Sequence, residues 1–267
     1  GLGVRGPEFN TFINRLLVEY AELRPSYVNE LLTPESLLEY EKAFTARTAD
    51  SRNNYEVYEN IGDKVVGLFL VSYSYSKFPE LNCKEGVEVV SKIVIRYASK
   101  EILADIARNL GFWKYISASN DHIEKSEESV DDAMDNLLED AFEAFIGVTK
   151  MILTTKYHNG DGMGVGEGVC YTLLSSFFSS FVEISTNLDV LTDSTTKLKE
   201  ILDQMKNHNV SMKPGGMKNT VISKENGGSY TSTVTLIIDN NQVTVARAHA
   251  KRCLLYTSDA ADEEDSV

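Results

Sequence analysis

Apolar residues recur at intervals of three and four along most of the first 150 positions. The clearest runs are Phe9 to Leu23, Ser36 to Thr45, Tyr55 to Ser76, Lys84 to Tyr97, Lys100 to Leu110 and Val130 to Met151. That period predicts helices with one face in a common core, and an all-α first domain. Thr33 ahead of Pro34-Glu35-Ser36, and Ser129 ahead of Val130-Asp131-Asp132, mark helix starts, with acids in the first turn where the macrodipole favours them. The glycine-rich stretch 157–168 has no strand before it and no Lys-Ser/Thr after it, so it reads as a flexible linker rather than a nucleotide loop. A further apolar helix is expected from Val169 to about Ile184. From Asp193 the texture changes. Thr196 to Lys206 reads as a short helix, Tyr230 to Ile238 and Gln242 to Ala246 alternate like strands, and Asp239-Asn240-Asn241 makes a hairpin turn between them, which predicts an α+β second domain. The final dozen residues, Tyr256 to Val267, are acidic and aperiodic, and are expected to be unstructured.

Charge sharpens this division. The 267 residues carry a formal −14, which at first argues against a nucleic-acid partner. Between Thr196 and Tyr256, however, nine Lys/Arg face four Asp/Glu, a net of +5 that leaves −19 on the remainder. An acidic body with a basic appendage suits an enzyme that gathers divalent metal in one place and grips a polyanion with another. No run of about eighteen apolar residues occurs, and the first residues lack the apolar core of a signal peptide. The expectation is an intracellular protein, cytoplasmic or nuclear, neither secreted nor membrane-bound. Cys83, Cys170 and Cys253 are odd in number, far apart and without a CxxC pair, so they read as buried or idle thiols. His122, His158, His208 and His249 share no ligand spacing and read as surface residues, while Trp113 and Tyr115 after Gly111 read as a packed corner.

Candidate chemistry lies in the acids. Glu56, Glu59 and Asp63 are three and four apart, so on a helix they form one acidic stripe among Ile61, Val65 and Val66. Like charges at that spacing destabilise a bare helix, and something should compensate. Asp140 and Glu143 form a second set, flanked by Phe142, Phe145 and Ile146. One such stripe alone reads as a solvated face. Two of them, on helices that pack by their apolar neighbours, predict four carboxylates around a hard divalent cation, a Mg²⁺ site at which Mn²⁺ can substitute.

These motifs resemble the ribonuclease III family. Glu59-Asn-Ile-Gly-Asp63 is similar to its signature, in which Asn-Glu-Arg-Leu precedes Glu-Phe-Leu-Gly-Asp, and Asp140-Ala-Phe-Glu-Ala144 resembles its Asp-x-Phe-Glu-Ala. Ala43-Phe-Thr45, Ser91-Lys92, Ala98 to Ala104 and Ala107-Arg-Asn-Leu-Gly-Phe112 resemble further family segments in the same order, from roughly Leu31 to Gly147. The resemblance places Glu59, Asp63, Asp140 and Glu143 on the family's catalytic, metal-binding carboxylates and Glu56 on a supporting acid. Three positions depart from it. Asn60 stands for a phenylalanine that packs into the partner subunit, Ala46 for a histidine, and Tyr55 for the asparagine before Glu56.

The C-terminal part resembles a double-stranded-RNA-binding domain that stops early. Thr196 to Leu202 is similar to its first helix, with Glu200 facing the minor groove, and Tyr230 replaces its groove-reading histidine. Ala246 to Arg252 is similar to Gly-x-Gly-x-Ser-Lys-Lys, which puts Lys251 and Arg252 on phosphates at the start of a last helix that never comes. The resemblance therefore implies an all-α ribonuclease III endonuclease domain (10–190) followed by a small, incomplete α+β double-stranded-RNA-binding domain (193–253) and an acidic tail (254–267) that reads like unrelated sequence. It implies a homodimer that cuts double-stranded RNA, each site one strand, leaving 5′-phosphates and short 3′ overhangs. A non-catalytic relative that binds structured RNA or pairs with an active partner is the alternative, although such relatives lose metal carboxylates that this chain keeps. A helical metallohydrolase of the His-Asp type would need adjacent ligands absent here.

Overall fold

In a computed structural model the described residues are 1–119, 130–156, 162–193, 197, 212–225, 229–238 and 241–250. The chain divides into two compact units, Gly1–Thr192 and Asp193–Val267. The first is helical among its described residues: α1 (Pro7–Glu19), α2 (Pro25–Leu31), α3 (Pro34–Ala43), α4 (Glu56–Lys77), α5 (Gly86–Tyr97), α6 (Lys100–Leu110), α7 (Val130–Lys156), α8 (Gly162–Phe181) and a single turn α9 (Leu188–Leu191), with 3-10 turns at Pro79–Leu81 and Phe112–Tyr115. Every long helix expected from the apolar period is present. In α1 the buried positions are Phe9, Phe12, Ile13, Leu16 and Leu17, the spacing of one helical face. Thr33 caps α3 as its sequence suggests, its hydroxyl accepting from the Ser36 N–H at 3.2 Å. Gly111 ends α6 in the left-handed conformation, φ 84°, which a side chain would strain.

Aromatic side chains fill the core. Phe44 and Phe112 lie 4.9 Å apart between ring centres, Phe12 meets Phe112 edge-on at 5.5 Å, and Phe145 reaches both Phe112 (5.7 Å) and Tyr40 (5.8 Å). All five are buried, and each burial is worth roughly 1.5–3 kcal/mol. The polar end of Tyr40 is satisfied by Thr149 at 2.9 Å. Tyr115 stacks on Phe12 at 4.1 Å, as a packed corner should, but Trp113 beside it is 40% exposed and is corrected to a surface residue. Cys170 is buried and Cys83 exposed, both free.

A strap at the start of the chain ties distant segments together. Val4 donates to the Lys114 carbonyl at 3.0 Å, and Ala118 donates to that of Gly1 at 3.0 Å. On the other side, Thr45 and Ser117 form a parallel bridge. Arg5 crosses this seam. Its guanidinium donates to the carbonyls of Tyr115 (2.6 Å) and Phe44 (3.2 Å) and to the hydroxyls of Thr45 (3.1 Å) and Ser117 (2.9 Å). Burial lowers its pKa from the ordinary arginine value, and the pull of Glu41 offsets that in part.

Several expectations need correction. Residues 162–168, read as part of a linker, belong to α8, which starts at Gly162 and ends at Phe181 rather than Ile184. The glycines mislead because helix propensity here yields to packing: a Cβ on Gly166 would stand 2.9 Å from the Lys150 carbonyl, so the small residue lets α8 lie against α7. The short α2 lies outside the expected helices because seven residues give too little periodicity. Among the described residues no helix is long and apolar enough to cross a membrane.

In the second unit three antiparallel strands, β1 (Met212–Glu225), β2 (Ser229–Ile238) and β3 (Asn241–Ala250), form a sheet in the order β1-β2-β3. Of the expected turn, Asn241 belongs to β3 and pairs with Ile238, while residues 239 and 240 lie outside the described residues; β3 runs four residues beyond the expected Ala246. Strand β1 was not foreseen, since its Pro214-Gly215-Gly216 start breaks any alternation; the register shifts there, between Met212 and Met217. The expected helix from Thr196 to Lys206 with Glu200, the Lys251-Arg252 pair and the tail 254–267 lie outside the described residues, apart from Lys197. Tyr230 lies in β2, in register with Lys224 and Ala250.

Candidate active site

Two glycines create the site. A Cβ on Gly62 of α4 would fall 1.8 Å from the Glu143 carbonyl oxygen of α7, and one on Gly147 would fall 2.0 Å from that of Tyr58. The two helices therefore cross with their backbones in contact, which only residues without side chains permit. Gly62 stands between Glu59 and Asp63, and Gly147 one turn beyond Glu143. The crossing thus brings the two acidic sets against each other, although they are about eighty residues apart in sequence.

The carboxylates show that proximity electrostatically. Burial, followed by the charges of Asp140, Glu56 and Asp63, pushes Glu59 up to about 7. Glu143, only 7% exposed, is pushed up to about 8 by burial and then by Glu139, Asp63, Glu59 and Asp140. Asp140 is raised by burial, against the hydroxyl of Tyr55, which donates to its Oδ2 at 2.5 Å, and the charge of Lys100. Asp63 pairs with the adjacent Lys64 at 2.6 Å. Glu56 lies at the rim, paired with Arg47 at 3.1 Å, and reaches the others through its field alone. Among the described residues neither Glu59 nor Glu143 has an ion pair or a side-chain hydrogen bond, so ionising these two at the crossing carries a cost that no direct partner offsets.

That donor set fits a divalent cation in ligand type, with hard carboxylate oxygens from four residues on two rigid helices. The ligand atoms themselves stand apart: among the described residues no three His, Cys, Asp or Glu side chains close into a metal cage. A cation would have to draw the carboxylates inward against their mutual repulsion and the Tyr55 and Lys64 contacts.

Three neighbours escaped the sequence reading. Glu139, pushed up to about 7 by burial and then by Asp140, is a fifth acid of the cluster. Its spacing of four from Glu143 was the available signal. Lys100, in the first turn of α6, acts on both Glu139 and Asp140, and no sequence pattern could place it because the contact is tertiary. Tyr55 stood out only as a departure from the family signature.

The raised values have a sign. Groups more basic in the folded state stabilise it fully below their unfolded pKa, about 4.3 for Glu, and that contribution is lost as pH rises through their folded values near 7 to 8. In EDTA the melting temperature is therefore expected to fall between about pH 5 and pH 8. Mn²⁺ should raise it more at pH 8 than at pH 5. Calorimetry in the two buffers checks both; a metal effect equal at both values would contradict the assignment.

Comparison with known proteins places this helical pair in a class. Residues 56–151 match the family model described as Ribonuclease III domain, a span that starts with α4 and ends within α7. A protein of Invertebrate iridescent virus 6 named for ribonuclease 3 is 34% identical over 212 residues, covering 76% of this chain and 69% of its own. Another such protein, of frog virus 3, is 35% identical over 167 residues, and this chain spans 42% of its length. Ribonuclease 3 of Methylococcus capsulatus is 28% identical over 160 residues, 60% of each chain. The chain belongs to the ribonuclease III family, the endoribonucleases foreseen from its two acidic motifs.

Proposed function

We propose that this protein hydrolyses phosphodiester bonds of double-stranded RNA, with Mg²⁺, or Mn²⁺ in its place, held by Glu59, Asp63, Asp140 and Glu143. The observation that carries the reading is the backbone-to-backbone crossing at Gly62 and Glu143, which gathers carboxyl groups, Glu59 and Glu143 among them with no direct partner among the described residues, where the family's two motifs meet. Bound Mg²⁺ would supply water activation at neutral pH and charge stabilisation for the leaving oxygen. The chain's own residues do the rest. The crossing fixes the spacing of the two acid pairs, Tyr55 orients Asp140, and Glu56 with Arg47 borders the cluster. Family resemblance supports 5′-phosphate products with short 3′ overhangs, and Tyr230, Glu200, Lys251 and Arg252 as duplex contacts of the second unit. The readout is cleavage of a long perfect RNA duplex at several concentrations of Mg²⁺, beside single-stranded RNA and duplex DNA. Selective, Mg²⁺-dependent cutting of the RNA duplex is expected; a duplex bound but left whole would identify the non-catalytic alternative.

The same reading includes a homodimer. On α4, Val57, Ile61, Lys64, Leu68, Val71 and Tyr75 recur in steps of four and three, the 3.5-residue repeat of a helix-to-helix seam. Val57 and Leu68 are 68% and 59% exposed. Beside them a groove of about 650 Å³ is lined by Asn60, Ile61, Val65, Leu68 and Tyr171. Asn60 is exposed at its edge, where an apolar side chain would gain about 1.5–3 kcal/mol on burial. Asn60→Phe is accordingly expected to tighten self-association by roughly ten-fold or more. Sedimentation equilibrium of parent and variant provides the check, and a looser dimer for the variant would count against this seam.

A further inference from the structure

Tyr55 is fixed from three sides before its hydroxyl reaches the site. Its N–H donates to the Thr45 carbonyl at 3.0 Å, and its own carbonyl accepts from Glu59 at 2.9 Å as the first bond of α4. Thr45 is in turn bridged to Ser117 and held through its hydroxyl by Arg5. Between Thr45 and Tyr55 the loop closes on itself: Asp50 Oδ1 accepts from the N–H groups of Arg52 (2.8 Å) and Asn53 (3.0 Å), and Asn54 Oδ1 accepts from that of Glu56 (3.1 Å). The ring is 7% exposed, so the hydroxyl has little freedom to leave Asp140. It donates to Oδ2 alone, and Oδ1 has no protein donor among the described residues. The asparagine that the family signature carries at this position ends well short of where a phenol oxygen reaches from the same backbone.

We infer that Tyr55 is a positioning residue for the metal ligand Asp140, a hydroxyl that pins one carboxylate oxygen from the α4 side and presents the other to the cation. This rests on the metal-dependent reading above. Partners that orient a ligand change metal affinity by about 10–100-fold when removed, without touching the metal themselves. With the hydroxyl gone, Asp140 keeps the charge of Lys100 in its favour, but no hydrogen bond among the described residues holds either carboxylate oxygen in place.

The test is Mn²⁺ binding to the full chain, followed by the loss of the free-ion electron paramagnetic resonance signal, for the parent, Tyr55→Phe, Glu143→Gln and Tyr40→Phe. Tyr40→Phe deletes a different buried hydroxyl, the partner of Thr149 in the core, and controls for loss of stability alone. Tyr55→Phe is expected to bind Mn²⁺ about ten-fold more weakly and to need about ten-fold more Mg²⁺ for half-maximal cleavage, with KM for the duplex within about two-fold of the parent. Tyr40→Phe should melt earlier yet bind Mn²⁺ as the parent does. Parental Mn²⁺ affinity in Tyr55→Phe, with binding lost in Glu143→Gln, would overturn the positioning role and leave the metal site standing. An equal loss of affinity in Tyr40→Phe would also overturn it, by showing that any loosening suffices. Absence of Mn²⁺ binding by the parent would instead sink the metal-dependent reading from which the inference starts.

Discussion

Glu143→Gln is expected to reduce duplex cleavage by at least about a hundred-fold, beyond what loss of an outer partner causes, while binding of the RNA duplex persists. Gln keeps the shape of a side chain that is 7% exposed, so the fold should tolerate it. What changes is charge. Glu143 is pushed up to about 8 by burial and by four neighbouring acids, so at pH 8.5 the parent holds an ionised group that the folded state disfavours. The variant should therefore melt higher than the parent in EDTA, with a gain that grows between about pH 5 and pH 8 and vanishes in acid. It should also lose most of the stabilisation by Mn²⁺. Activity, melting in EDTA and melting in Mn²⁺ move in different directions, which a general loss of structure could not reproduce. Parental cleavage by the variant would remove Glu143 from the site.

Gly62→Ala should do comparable damage by another route. The added methyl would sit 1.8 Å from a main-chain oxygen, which cannot rotate away as a side chain would, so the helices must part. Overpacking of this kind costs about 1–3 kcal/mol, and a backbone neighbour puts this case at the upper end. For a unit of this size that amounts to a fall of roughly 6–12 °C in melting temperature. Separation also spreads the four acids, so metal affinity and cleavage should fall with it. Gly67→Ala, with nothing within 4 Å of its Cβ position and within the same helix, is the control and should be neutral or slightly stabilising. A Gly62→Ala protein as stable and as active as the parent would mean that the crossing is looser than described.

How much of this was legible in sequence follows from the range of the forces involved. The apolar period of α1, α4, α5, α6 and α7 is local and was readable, as were the acidic pairs, whose spacing within each helix is local too. Order along the chain makes weak motifs specific, so the family is recognisable from sequence. What the spacing concealed was tertiary. Gly62 and Gly147 look alike in sequence to Gly67, yet two of them weld helices and the third meets nothing. Lys100 and Tyr55 join the acids only through the packing of α6 and of the loop before α4. The glycines of 162–168 gave the wrong answer because low helix propensity is a weak preference that contact with α7 overrides. The short α2 and the irregular β1 failed for want of a period long enough to see.

Arg5 has a consequence for which replacements the protein can accept. Its side chain donates to six oxygen atoms, on Val4, Glu41, Phe44, Thr45, Tyr115 and Ser117, from one planar, five-donor fork, and no carboxylate shares the load through a direct ion pair among the described residues. An ammonium has three donors radiating from one point and a tighter hold on its water. Lysine at this position would keep the charge and still abandon acceptors on one side of the seam, so charge-preserving drift is closed here. The loop that carries Tyr55 thus depends for its footing on a residue about fifty positions upstream whose chemistry has no natural substitute.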